Sequence, residues 1–295
     1  MGLKEVVFKV FRFDSEKDIL PCYKTYTLKP KGNESLDTAL EQIQEIDETL
    51  LFDKDSVIKV NKEVVLSSEA KVKDFGLEIC IEPADSKRVK RDLITEYDDF
   101  FERFNSIKPT LCSEIKEITE KDEITNFNEL AQAYFSCPSV DVNPEFIGPV
   151  GLSRAYDLYN QESDYFKKLK RLKVVNENNR GIWDCAGCNS CDRAVKSEIS
   201  PSVKIQKLKN ETFEYDDVNN CSYGIKETKE VEKQIIANGH VSSFCTILKV
   251  KGFKVLEDAK EFCLLAKNKR FTNSKGIEKS QNLKEIKTLI KSARS

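Results

Sequence analysis

One histidine, His240, stands in a chain of 295 residues, with one tryptophan and one methionine. A lone histidine leaves no Ser/His/Asp set and no histidine-rich metal site to build. In "NGHVSS" it reads as a surface turn residue. No apolar run approaches the ~20 residues that cross a bilayer. The opening "MGLKEVVFKVFRF" alternates charged and apolar residues and contains no signal-peptide core. The expectation is a cytoplasmic protein, at most held at the inner face of a membrane through a partner or a basic segment. The eleven glycines form neither G-x-G-x-x-G nor a Walker pattern, so no nucleotide-phosphate loop is expected. No paired carboxylates and no activated nucleophile stand out, so intrinsic catalysis is not expected.

An excess of one charge is also lacking, since the formal net charge is -2. That balance hides an asymmetry. From Ile225 to the end there are sixteen Lys/Arg against eight Asp/Glu, which leaves the rest of the chain strongly acidic. Such a split fits a tail that docks on an acidic protein surface. The interleaved acids make it a poor phosphate track, so nucleic acid is not the expected partner.

Cysteine is what the chain has in quantity: ten residues. In a reducing compartment they are not a disulfide framework. Cys22, Cys80, Cys112, Cys221, Cys245 and Cys263 are scattered. Cys80 in "LEICIEP" and Cys263 in "KEFCLLA" sit in apolar company, where a thiol behaves as a small hydrophobe. Only Cys185, Cys188 and Cys191 cluster, in "GIWDCAGCNSCDRAVKSEISPS". A bacterial ferredoxin run would place a fourth cysteine at 195 and a proline at 196. This chain has Val195 and Lys196. The spacing alone admits an iron–sulfur site or a zinc site, for which C-x2-C is also usual. Asp184 and Asp192 flank the group and read as residues that solvate it.

The expected fold class is α+β, in three parts. Residues 1–85 read as a small domain: strands "VVFKVFRF" and "YKTYTLKP", a helix "SLDTALEQIQEI" capped by Ser35 with Leu36, Ala39, Leu40 and Ile43 on one face, a hairpin "SVIKVNKEVVL" turning at Asn61-Lys62, and a strand "LEICIEP". "ADSKRVKRD" reads as a charged linker, and from Leu93 the chain reads helical. Residues 86–210 hold "ITEYDDFFERFNSI", with Tyr97, Phe100, Phe101 and Phe104 as a core face. A second helix, "TNFNELAQAYFSC", opens at Thr125. A third, "IGPVGLSRAYDLYNQ", is broken at its start by Pro149. A fourth is capped by Ser200 with Pro201 in its first turn. Residues 211–295 form a basic, mainly helical tail. It includes "IKETKEVEKQIIAN", "FKVLEDAKEFCLLAK" and "NLKEIKTLIKSA", while "VSSFCTILKV" admits either strand or helix.

Two stretches carry a family resemblance. "CPSVDVNPEFIGPVGLSRAYDLYNQESD", from Cys137 to Asp164, and the later Gly181-Ile182-Trp183 before the cysteine group resemble the iron–sulfur subunit of succinate dehydrogenase and fumarate reductase. "DLITEYDDFFERFNSIKP" resembles that family's inter-domain helix, and the resemblance runs from residue 5 to about 209. It implies a β-grasp, 2Fe–2S ferredoxin-like first domain, an α-helical ferredoxin domain, and electron transfer with a protein partner such as a flavoprotein or other redox subunit. The departures are systematic. Residues 50–70, where the family carries the two-iron cluster, contain no cysteine. In the second domain, Cys137 occupies the fourth place of the first motif, whose other three places hold Phe127, Leu130 and Ala133. Val195 takes the fourth place of the second motif.

In paired ferredoxin motifs the fourth cysteine of one motif ligates the cluster of the other. The four lost ligands therefore belong to one cluster and the four retained, Cys137, Cys185, Cys188 and Cys191, to the other. The resemblance thus implies a divergent electron-transfer subunit with a single 4Fe–4S cluster. The alternative is a non-redox adaptor or assembly protein around a structural metal, iron–sulfur or zinc.

Overall fold

The computed structural model describes residues 5–107, 120–195, 200–215, 222–252, 264, 267 and 282–292. It is a mixed α/β structure with a sheet at its N-terminal end and helices after it. Two compact units are distinguished. One comprises residues 1–175 and 179–209, the other residues 176–178 and 210–295.

The sheet of the first unit contains β1 (Val6–Arg12), β2 (Cys22–Leu28), β3 (Val57–Val60), β4 (Glu63–Leu66) and β5 (Glu78–Pro83). Their spatial order is β2-β1-β5-β3-β4. The first and last strands lie side by side and parallel, while the other pairs are antiparallel. In β1 the period-two alternation sends Val6, Phe8 and Val10 inward, as a half-buried strand requires. They meet α1 (Leu36–Ile46), whose buried face is Leu36, Ala39, Leu40 and Ile43, as the sequence spacing predicts. Ser35 caps this helix by accepting from Thr38 N at 3.3 Å, satisfying one of its orphan donors. Asn61 and Lys62 both have positive φ at the β3–β4 turn, the geometry that matches the twist of a tight hairpin. Asn61 Oδ1 also accepts from Cys80 N at 2.8 Å.

The expected charged linker is instead ordered. Residues 84–92 hold β6 (Val89–Arg91), which pairs with β7 (Ile94–Thr95). The physical reason is two buried acids. Asp85 accepts from Lys87 N and from the Arg88 guanidinium. Asp92, 2% exposed, accepts from Phe13 N, Leu51 N and Arg12 Nε. Arg12 also donates to Asp47 at 2.6 Å, to Tyr26 Oη at 3.0 Å and to Thr49 Oγ1 at 2.9 Å. One guanidinium thus joins β1, β2, the end of α1 and the segment leaving the sheet.

The helices α2 (Asp98–Ser106), α3 (Glu120–Phe135), α4 (Pro138–Val142), α5 (Gly148–Gln161), α6 (Tyr165–Val175), α7 (Ser190–Ala194) and α8 (Pro201–Glu214) follow. Phe100 is buried against Phe104, Phe127 and Tyr134. Phe101, expected in the core, is 48% exposed and stacks on Phe127 at the rim. Helix α3 starts at Glu120, so Thr125 lies inside it rather than capping it. Pro149 stands in the first turn of α5 and opens that helix rather than breaking it, since its missing N–H is not needed there. Gly148 before it has φ +88°, and a Cβ there would lie 2.8 Å from the Tyr134 ring. Ser200 has φ +42°, outside the extended geometry of an ordinary N-cap.

The second unit contains α9 (Tyr223–Asn238), α10 (Ser243–Lys251) and α11 (Leu283–Ser292). "VSSFCTILKV" is helical because Ser242 caps it, accepting from Cys245 N. Gly239, at φ +77°, ends the preceding helix. Gln234 donates to Glu230 and Thr246 and accepts from Ser242 N, forming a buried polar set. His240 is half-buried in the intervening turn, its Nδ1 3.2 Å from Asn238 O. Cys112, Cys221, Cys263 and all of the expected helix "FKVLEDAKEFCLLAK" except Leu264 and Lys267 lie outside the described residues.

Replacing Arg12 with Met leaves buried Asp92 without its cation and Asp47 with Lys24 alone. Unfolding free energy is expected to fall by on the order of 3 kcal/mol, read by urea denaturation. Hydrogen bonds from Lys24, then Thr49 and Tyr26, hold the Asp47 carboxyl well below the ordinary carboxylate range. Its stabilisation is present above the unfolded-state value of about 4 and is lost as pH falls through the lower folded value. Asp47→Asn should therefore flatten the stability loss measured between about pH 4 and pH 2.

Candidate metal centre

Cys137 terminates the long helix α3 and stands as the residue before α4, with Pro138 next. Val140 N donates to Cys137 O at 3.1 Å, and the nearby N–H groups of Val140 and Ser139 oppose the effect of burial on the thiol. Such amides are suited to a thiolate. The remaining cysteines lie 48 to 54 residues later, on the loop from Gly181 to α7. Hydrogen bonds stitch the two segments together. Ser139 Oγ donates to Asp184 O at 2.8 Å. Asn143 Nδ2 donates to Asn179 O at 2.8 Å and reaches Asp184 Oδ1 at 3.3 Å. Ile147 N donates to Arg180 O at 3.0 Å. Ile182, fully buried, plugs the loop into the core.

Two cations hold the cysteine loop by its carbonyls. Lys209 Nζ, from α8, donates to Cys185 O at 3.1 Å and lies 5.4 Å from the Trp183 ring centroid. Arg193 donates to Cys188 O at 3.2 Å and to Ser190 Oγ at 3.1 Å. Gly187 and Asn189 take positive φ between them, the conformation a loop folding back on itself needs. Asp192 does more than solvate the site: it accepts from Ser202 N at 2.9 Å and from the Ser202 hydroxyl, anchoring the start of α8. Burial raises the Asp184 carboxyl, against a hydrogen bond from Asn143.

Cys137 and Cys191 are buried, Cys185 is half-buried and Cys188 exposed. Burial pushes the Cys191 thiol up to about 12, with Asp192, Cys137 and Cys185 adding to it. Burial also raises Cys137, and Cys185 and Cys188 raise it further. The Ser190 hydroxyl and N–H lower Cys188. Among the described residues, no three His, Cys, Asp or Glu converge closely enough for a single metal ion. Of the residues at the replaced ligand positions, Ala133 is buried, while Phe127, Leu130 and Val195 are half-buried rather than full core.

Nothing in the sequence pointed to Lys209 or Arg193, and Ser139 and Asn143 lie in the stretch that carries the resemblance without their contacts being legible there. Each acts through a backbone carbonyl or a loop contact that leaves no motif. In the metal-free protein, Cys188 should be alkylated by iodoacetamide well before Cys137 and Cys191. Peptide mapping by mass spectrometry reads that order.

No protein-family model matches the chain. Among curated proteins, the chain is 24% identical over 231 residues to the fumarate reductase iron–sulfur subunit of Escherichia coli O6:H1, covering 71% of this chain and 94% of that protein. It is 22% identical to the succinate dehydrogenase iron–sulfur subunit of Coxiella burnetii, over 71% of this chain and 97% of that one. With the mitochondrial succinate dehydrogenase iron–sulfur subunit of Dictyostelium discoideum it shares 26% identity, over 69% of this chain and 81% of that one. Two solved structures share the fold. A chain of the apo Sdh1 complex of Mycobacterium smegmatis superposes with a TM-score of 0.53 at 15% identity, over 71% of this chain and 96% of that chain. A hypothetical protein from Helicobacter pylori gives a TM-score of 0.53 at 20% identity, covering 80% of this chain and 44% of that one, so this chain spans less than half its length. Likeness along about 70% of the sequence, carried over nearly the whole of the bacterial subunits, makes this chain similar to the fumarate reductase and succinate dehydrogenase iron–sulfur subunits at 22 to 24% identity.

Proposed function

We propose that the chain is an electron-transfer subunit carrying a single 4Fe–4S cluster on Cys137, Cys185, Cys188 and Cys191. The carrying observation is the sorting of losses: Phe127, Leu130, Ala133 and Val195 replace all ligands of one cluster, while all four of the other remain. The stitched Cys-Pro and Gly-Ile-Trp segments support the reading. So does the donor set, four thiols with two cations on the loop that carries three of them. A cluster whose separate irons each take one thiolate suits closely spaced cysteines from two segments.

When bound, the cluster supplies one-electron transfer. The chain's own residues hold and shield it. Cys137 and Cys191 are buried, so their thiolates are costly without metal, and ligation couples metal binding to folding. Lys209 and Arg193 fix the loop and place positive charge beside an anionic group. Residues 1–85 form a β-grasp domain that keeps the ferredoxin-like frame without a two-iron cluster. Residues 86–210 form the cluster-bearing helical domain, and 211–295 a basic helical tail. The protein works with a protein partner, a flavoprotein or another redox subunit, and the tail or that partner brings it to the inner face of a membrane. Among the described residues no helix is long and apolar enough to cross a membrane.

Anaerobically purified protein should be brown and lose visible absorption on dithionite reduction, with a paramagnetic signal from the reduced state. Cys137→Ser should abolish cluster retention while leaving the sheet domain folded by circular dichroism. Colourless protein with one zinc per chain would instead favour the adaptor reading. Unchanged iron in Cys137→Ser would refute the cross-motif ligand set.

A further inference from the structure

A cleft of about 720 Å³ lies between the β3–β4 hairpin on one side and the α3–α4 junction with the start of α7 on the other. Its volume is that of a small-molecule site. Three cations and three acids line it: Lys59, Lys62, Arg193, Glu63, Glu82 and Asp141. Half of these charges are already engaged. Lys59 pairs with Asp141 at 3.8 Å, and the Tyr23 hydroxyl donates to Glu82. The other half are not. Arg193 spends donors on Cys188 O and Ser190 Oγ but has no carboxylate partner among the described residues. Lys62 and Glu63 have none either.

The unmatched set is therefore two cations and one carboxylate, presented from opposite walls. We propose that the cleft binds a small zwitterion with two acidic groups and one ammonium, the chemistry of a short acidic peptide with a free amino end. The planar guanidinium of Arg193, with donors left over, reads one carboxylate in a fork. Lys62, a compact charge at the hairpin tip, meets the second acid. Glu63 accepts the ammonium. Engaged pairs at Lys59–Asp141 and Tyr23–Glu82 set the walls and discourage a ligand of single sign. The site stands on residues other than the four cysteines.

Calorimetric titration of the full chain, as purified without oxygen, with the dipeptide Glu-Gly tests this directly. Saturable binding is expected, weakened about tenfold by Arg193→Gln and by Lys62→Asn. Asn keeps the positive-φ turn, so the second variant stays folded even if the first does not. N-acetyl-Glu-Gly, which lacks the ammonium, should bind more weakly. Absence of saturable heat, equal binding in Lys62→Asn, or competition by inorganic phosphate at the same concentration as Glu-Gly would overturn the proposal.

Discussion

The candidate centre depends on the hydrogen bonds that tie the Cys-Pro segment to the Gly-Ile-Trp loop. Ser139, Asn143 and Ile147 hold the carbonyls and carboxylate of Asn179, Arg180 and Asp184. Without them Cys137 and the other three cysteines belong to separate pieces of chain. Each bond taken singly is worth about 1 kcal/mol. Together they fix the loop's path, because Ile182 is buried at its middle and cannot leave without exposing apolar surface. The loop's other side is held by charge, through Lys209 and Arg193. The loop is thus held on both sides.

The sheet reaches this centre through three further ties. Arg12 draws the segment leaving the sheet, at Asp92, against β1 and α1. Gln132 on α3, with its amide oriented to satisfy both neighbours, accepts from Leu66 N and donates to Ala194 O. A sheet residue and a residue of the cysteine-bearing helix therefore share one side chain. Lys87 Nζ, donating to Asp141 O at 2.7 Å, adds a bond from the connecting segment to α4. The cleft proposed as a ligand site occupies the gap these ties leave between hairpin and helices.

Much of the architecture was legible because local patterns dominate it. The alternation of Val6, Phe8 and Val10, the helical face of Leu36, Ala39, Leu40 and Ile43, and the Asn61-Lys62 turn all depend on short-range rules. "ADSKRVKRD" was misread because its charges look solvated; Asp85 and Asp92 find partners up to 80 residues away. Tertiary contact also decided Phe101, which shares its helical spacing with the buried Phe100 but turns to the rim. The start of α3 escaped because Thr125 offered a local cap signal inside a longer helix. At the centre, cysteine spacing and family resemblance named the thiols. The residues that position the loop act through backbone carbonyls, and backbone has no sequence signature.

The central claim is one four-iron cluster where the relatives' pattern provides for more. The direct measurement is iron and acid-labile sulfide per chain in protein purified without oxygen. The account predicts four of each per chain. A single zinc with no sulfide, or iron and sulfide well above four per chain, would contradict it.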